Sequence, residues 1–208
     1  MANKEVRGFD GLTVEYRSDE QGNRSPLIRG TAVLFNSDSR DLGGFVERIS
    51  PRAFDKFFTE ERGCNGKCHD VACLWSHDTS KVLGRTPKTL KLKKDERGIH
   101  FELDPPKSMP HIVESVERAD VRGASFAFSV SDGGDDWSTD NEGRSIRTVN
   151  DISGFYEVSL VLQPAYELTE VSVAKRSFDQ FKAERAARKA ELSESYKRFK
   201  EFVAERRG

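Results

Sequence analysis

The sequence has no apolar run approaching the roughly 18 residues that a membrane helix needs, so no membrane span is expected. Its first residues, Met1-Ala2-Asn3-Lys4-Glu5-Val6-Arg7, lack the apolar centre of a secretory leader, which points to a protein that stays in the cytoplasm where it is made. Cysteine is scarce, with three in 208 residues. In a reducing compartment these read as free thiols or metal ligands, not as a disulfide framework. Charge of one sign is also lacking: the formal net charge is -1, and the mean hydropathy of -0.67 describes a heavily charged soluble chain. A chain of this length can bury a proper core, and one globular unit with an appendage is expected.

Strand signals dominate the first three quarters. Leu27 to Phe35 is rich in β-branched and apolar residues and ends in the turn formers Asn36 to Ser39. Gly43 to Ile49 reads as a short strand. Ser50-Pro51 then offers an N-cap serine and a proline at the first helical position, with Phe54, Phe57 and Phe58 on one face of a short helix. Thr89 to Lys94 and Ile99 to Asp104 alternate across a glycine-containing turn. That predicts a hairpin with Leu90, Leu92, Ile99, Phe101 and Leu103 inward.

Ser108 to Ala119 reads as a helix with Ile112, Val113 and Val116 inward and His111 on the surface. Gly123 to Val130 predicts a strand with Phe126, Phe128 and Val130 on one face, and Ser125, Ala127 and Ser129 on the other, a small polar face suited to a cleft. Ser131 to Gly143 is acidic and glycine-bearing, which predicts a mobile loop or flap. Arg144 to Val149 and Gly154 to Leu162 return to strand pattern, the latter alternating Glu157 and Ser159 against Val158 and Leu160. Glu170 to Ala174 reads as a last short strand. From Lys175 the composition turns to Ala, Glu, Lys and Arg with apolar residues at helical spacing. We therefore divide the chain into a body, residues 1–174, and a basic amphipathic helical tail, residues 175–208.

Chemistry concentrates at two places. Cys64, Cys68, His69 and Cys73 nominally supply four zinc ligands, but no CxxC pair is present and adjacent residues such as Cys68 and His69 rarely reach one ion, so free loop thiols are the simpler reading. The second place is Leu74-Trp75-Ser76-His77-Asp78, an imidazole at the end of an apolar strand, with Thr79 to Lys81 as a polar turn into the strand Val82 to Arg85. Histidine suits a general base because its ordinary pKa lies near ~6.5. His77, Ser125 and Glu157 form a candidate nucleophilic set: a hydroxyl needs a base, and the imidazole needs a third group to fix its tautomer. Asp78 is the alternative third member, although successive strand side chains point to opposite faces.

Five short segments in order carry a resemblance. They are Gly30 to Phe35; Phe45 to Phe54; Leu74 to Asp78 with Val82-Leu83-Gly84-Arg85; Arg122 to Phe128; and Glu157 to Tyr166. Together, over about residues 27 to 173, they resemble the prohead (capsid maturation) proteases of tailed bacteriophages, a family similar in fold to the herpesvirus assemblins. The resemblance implies an α+β fold, with a mainly antiparallel, β-barrel-like body, surrounding short helices and the helical tail. It implies a serine endopeptidase needing no cofactor and no metal, with His77 and Ser125 at the family's histidine and serine. Glu157 matches the family's Glu-Val-Ser motif, whereas assemblins use a second histidine in that role, and none of His69, His100 or His111 sits at a matching motif.

The partners implied are the major capsid protein and its scaffold segment, with self-association as a further option, and neither nucleic acid nor membrane. The implied place of action is the host cytoplasm, inside the assembling procapsid. A different class of function remains beside this one: a non-catalytic assembly or scaffolding protein that works through its helical tail.

Overall fold

The structure is a computed structural model, and it describes residues 4–58, 70–162 and 172–205. The chain divides into two compact units, residues 1–171 and 172–208. The expected α+β class dominated by strands is what the first unit shows. Its strands form three sheets and, among the described residues, no closed barrel.

The largest sheet has five strands in the order β1 (Glu5–Asp10), β9 (Gly123–Val130), β12 (Ile152–Val161), β5 (Ala72–Trp75) and β6 (Asp78–Arg85). Only β12 and β5 run parallel within it. A four-stranded antiparallel sheet has the order β2 (Thr13–Ser18), β3 (Arg24–Leu34), β8 (Gly98–Leu103), β7 (Leu90–Lys94). The third sheet joins β10 (Asp135–Thr139), β11 (Ser145–Val149) and β4 (Phe45–Ile49), with β11 and β4 parallel.

The local reasons are those of the sequence. Leu90, Leu92, Ile99, Phe101 and Leu103 alternate along β7 and β8 and are all buried, as the hairpin pattern requires. Ser50 accepts a hydrogen bond from the Arg52 amide, and Pro51 opens a short turn of 3-10 helix, Pro51–Phe57. That helix delivers Phe54 edge-on to Phe155 of β12 at 5.2 Å between ring centres. Helix α1 (Pro110–Glu117) buries Ile112, Val113 and Val116 as expected.

Two expectations are corrected here. Ser131 to Gly143 is not a flap, because Asp135–Thr139 is a strand in full register with β11. Its acidic residues have partners: Asp135 accepts from Arg147 at 2.6 Å, and Trp137 packs edge-on against Phe45 at 5.0 Å. Second, Ser172 to Ala174 open a 34-residue helix, α2 (Ser172–Glu205), instead of ending a strand; Glu170 and Val171 lie outside the described residues. Two alternating valines are too short a pattern to outweigh the helix formers that follow. Residues 5–18, to which the sequence pattern assigned no element, form β1 and β2.

β1 escaped notice because its buried positions are charged. Glu5 and Arg7 are 0% and 2% exposed, and they meet Glu47 of β4 and Arg147 of β11, which are 3% and 2% exposed. Arg7 binds Glu47 at 2.7 Å and Glu5 at 2.9 Å, while Arg147 binds Glu5 at 2.7 Å and Glu47 at 2.8 Å. Each guanidinium thus bridges both carboxylates, and the ring ties the five-stranded sheet to the three-stranded one. Burial pushes the Glu47 carboxyl up, but Arg7 and Arg147 pull it below its ordinary range.

Breaking such a ring by one partner leaves an uncompensated buried charge. Glu47→Gln is therefore expected to lower the unfolding free energy by about 3–5 kcal/mol at neutral pH, measured by denaturant titration. Because the folded Glu47 pKa is depressed, its contribution is present above the unfolded carboxylate value of about 4.3 and is lost as pH falls through the folded value. Below that value the difference between wild type and variant should shrink.

Candidate active site

The hairpin of β5 and β6 turns at His77 itself. Trp75 and Asp78 are cross-strand partners, so Ser76 and His77 are the two central residues of the turn, with φ of 51° and 61°. Left-handed geometry at both positions is that of a type I′ turn, whose sense of twist suits a two-residue hairpin. The Ser76 amide donates to the Leu160 carbonyl at 3.0 Å, which fixes the turn against β12. The sequence had placed the turn at Thr79 to Lys81. Those residues are instead an insertion within β6, where pairing jumps from Trp75–Asp78 to Leu74–Val82.

Asp78 closes that insertion. Its carboxylate accepts from the Ser80 hydroxyl at 2.6 Å and the Ser80 amide at 2.9 Å, and pairs with Lys81 at 3.0 Å. The Ser80 and Lys81 contacts hold its pKa down at about 2. It serves its own loop and is not the partner of His77.

Glu157 is that partner, and a bulge presents it. Along β12, Phe155 pairs with Phe128 and Glu157 with Ala127, so Tyr156 is one residue too many. In a regular strand without this bulge, Phe155 and Glu157, two residues apart, would point the same way. With it, Phe155 stays in the aromatic core and Glu157 emerges on the small face of β9. Tyr156 folds back on the strand: its hydroxyl lies 2.8 Å from Ser129 Oγ, and a Cβ at Gly154 would come within 2.4 Å of the ring and hydroxyl. A side chain at Gly154 would force the Tyr156 ring to move.

His77 Nδ1 lies 2.5 Å from Glu157 Oε1, and Lys4 Nζ is 3.5 Å from Glu157 Oε2. Glu157 is 4% exposed. Burial pushes its carboxyl up, but the hydrogen bond from His77 and the charge of Lys4 bring it below the ordinary range. A charged carboxylate orients the imidazole with Nδ1 as donor, leaving Nε2 as acceptor. Nε2 is buried and has no hydrogen-bond partner among the described residues.

Ser125 lies on the same face, two register positions along from the Glu157–Ala127 pair and directly opposite Ser159. It is wholly buried, and its hydroxyl donates to the Arg7 carbonyl at 2.8 Å. The structure therefore joins His77 to Glu157 and sets Ser125 on their face, without a hydrogen bond between Ser125 and the imidazole.

A family model for caudovirus prohead serine proteases matches residues 12–184. The chain belongs to this family. No curated protein matches the sequence. Among solved structures, the capsid assembly protease gp21 of bacteriophage T4 is similar with a TM-score of 0.43 and 12% identity, over 78% of this chain and 99% of that one. This prohead protease is thus a peptidase of capsid maturation, a process of the assembling capsid in the host cell. No described helix is long and apolar enough to cross a membrane.

The other titratable candidates lie elsewhere. His100 sits 3.0 Å from Thr31 Oγ1 and 3.1 Å from Asp95, and His111 is exposed on α1. Cys73 is buried in the core, where burial and then the Glu157 charge push its thiol far up. Cys64, Cys68 and His69 lie outside the described residues, and no metal-binding group of side chains occurs among the described ones.

Sequence reasoning missed Lys4 and Tyr156, which carried no signal, and it placed Ser159 on the face of Glu157 by alternation without giving it a role. Beside the pair lies an open cavity of about 500 Å³, lined by Lys4, Ala72, Leu74, Val82, Tyr156 and Glu157 among others. Val82 and Tyr156, which border it, are two of the few exposed large apolar side chains.

Proposed function

We propose that this prohead protease is a serine endopeptidase in which Ser125 is the nucleophile, His77 the general base and Glu157 the group that orients the imidazole. The observation that carries this reading is the 2.5 Å contact between His77 Nδ1 and Glu157 Oε1, with Nε2 left bare on the face that holds Ser125. The substrates are scaffold-like segments of the capsid protein, and the protease itself.

Ser125 Oγ attacks the scissile carbonyl carbon as His77 Nε2 takes the hydroxyl proton. The buried Glu157 carboxylate stabilises the imidazolium that results. Collapse of the tetrahedral intermediate breaks the C–N bond, and the imidazolium gives its proton to the leaving amine. Water, deprotonated by the same nitrogen, then attacks the acyl-enzyme and releases Ser125. The Ser125 hydroxyl must first leave the Arg7 carbonyl, which a rotation about χ1 accomplishes. Catalytic hydrogen bonds are commonly incomplete before substrate is bound.

The helical tail is assigned to recruitment. Helix α2 is exposed along most of its described length, with Leu192 and Tyr196 among its exposed apolar residues, and basic residues outnumber acidic ones along it. A long helix of this composition suits docking on an acidic or helical partner such as scaffold.

On co-expression with capsid protein the wild type should generate discrete fragments, and Ser125→Ala and His77→Ala should each abolish them, because serine and base act as one unit. Glu157→Gln should retain activity above that of the Ser125 variant. Loss of cleavage in Ser129→Ala with retention in Ser125→Ala would reverse the nucleophile assignment. Deleting residues 176–208 should leave a body that cuts supplied substrate while lowering the protease content of procapsids. Packaging at wild-type levels would end the recruitment reading.

A further inference from the structure

Two polar atoms on the catalytic face have no partner among the described residues: His77 Nε2 and Ser159 Oγ. The first is accounted for by its role as proton acceptor. The second is not. Ser159 is 0% exposed, so its hydroxyl is buried as well as without a partner among the described residues. A buried hydroxyl left unsatisfied is destabilising, and native proteins retain few such groups without a use for them.

The sheet order shows what Ser159 can reach. β12 lies between β9 and β5, and Ser159 pairs with Ser125 on one side and Leu74 on the other. Directly opposed residues have Cβ atoms about 4.5–5.5 Å apart, which puts two serine hydroxyls within hydrogen-bond reach once their χ1 angles suit. In the observed arrangement Ser125 gives its only proton to the Arg7 carbonyl, 2.8 Å away, and takes no part in such a bond.

We propose that Ser159 is a positioning residue of the site: its hydroxyl donates to Ser125 Oγ and holds Ser125 in line with the imidazole. This rests on the assignment of Ser125, His77 and Glu157 made above. When Ser125 leaves the Arg7 carbonyl, one rearrangement satisfies both orphaned atoms. Ser159 O–H donates to Ser125 Oγ, Ser125 O–H donates to His77 Nε2, and His77 Nδ1–H donates to Glu157. The site is then a chain of four side chains in which the Ser159 proton faces the oxygen that gains negative charge as Ser125 is deprotonated. No proton leaves Ser159 in any step.

The test compares the full-length wild type with Ser159→Ala by the rate at which a fluorophosphonate probe labels the nucleophile, the labelled serine being mapped by mass spectrometry. The variant should label at Ser125 about ten- to a hundredfold more slowly, because the nucleophile loses its alignment. On a peptide substrate kcat should fall with KM little changed. Its Tm should stay level or rise, since the substitution removes an unsatisfied buried group; a merely structural serine would lower Tm when lost.

Labelling of Ser159→Ala at the wild-type rate would overturn the proposal, as would a Tm lowered by several degrees. A probe found on Ser159 of the wild type would make it the nucleophile and reverse the two roles. Absence of any labelled serine in an active wild type would instead sink the serine reading on which the proposal depends.

Discussion

A carboxylate that stays charged while almost wholly buried has to be met by compensating groups, since desolvating an ion costs several kcal/mol. Glu157 is in that position, and much of the candidate site can be traced to meeting it. The bulge at Tyr156 turns the carboxylate out of the aromatic core, and Gly154 makes room for the displaced ring. The type I′ turn then places His77 where its Nδ1 reaches Glu157, with the more exposed Lys4 adding a cation. Remove the bulge and strand periodicity alone would return Glu157 to the side of Phe155.

The same sheet carries a second solution to buried charge on its opposite face. There Arg7 and Arg147 alternate with Glu5 and Glu47, so every ion has two partners of opposite sign. Strand β1 serves both arrangements: its side chains enter the ion ring, and its Arg7 carbonyl holds the Ser125 hydroxyl. The resting position of Ser125, the proposed nucleophile, is therefore coupled to the strand that joins two sheets. Its hydroxyl rests on backbone and not on His77, so the proposed reaction requires a side-chain rotation first.

How far the sequence could be read follows from which patterns have a period. The β7–β8 hairpin and the two faces of β9 were legible because apolar and polar residues alternate cleanly there, and this placed Ser125 correctly on the small face. Glu157 and Ser159 were likewise legible beyond the bulge. β1 was not, since Glu5 and Arg7 are polar residues at buried positions and mimic a solvated segment. The turn at Ser76–His77 was hidden because neither residue is the Asn or Gly that normally marks left-handed geometry. β10 was read as a flap since its acidic residues are matched only by residues distant in sequence, Arg147 above all. The contact of His77 with Glu157 spans 80 residues of chain, so no local pattern could place the two together; strand alternation only favoured Glu157 over Asp78, and the resemblance to a family supported the choice.

The account turns on the imidazole of His77 having its proton on Nδ1, held by Glu157, and a bare Nε2. Nitrogen-15 NMR of the full chain, labelled at histidine, reads this directly under mildly alkaline conditions. The account predicts a downfield, slowly exchanging Nδ1 proton and an unprotonated Nε2 for His77, with that proton signal lost or shifted upfield in Glu157→Gln. A His77 proton residing on Nε2, or a spectrum indifferent to Glu157→Gln, would contradict it.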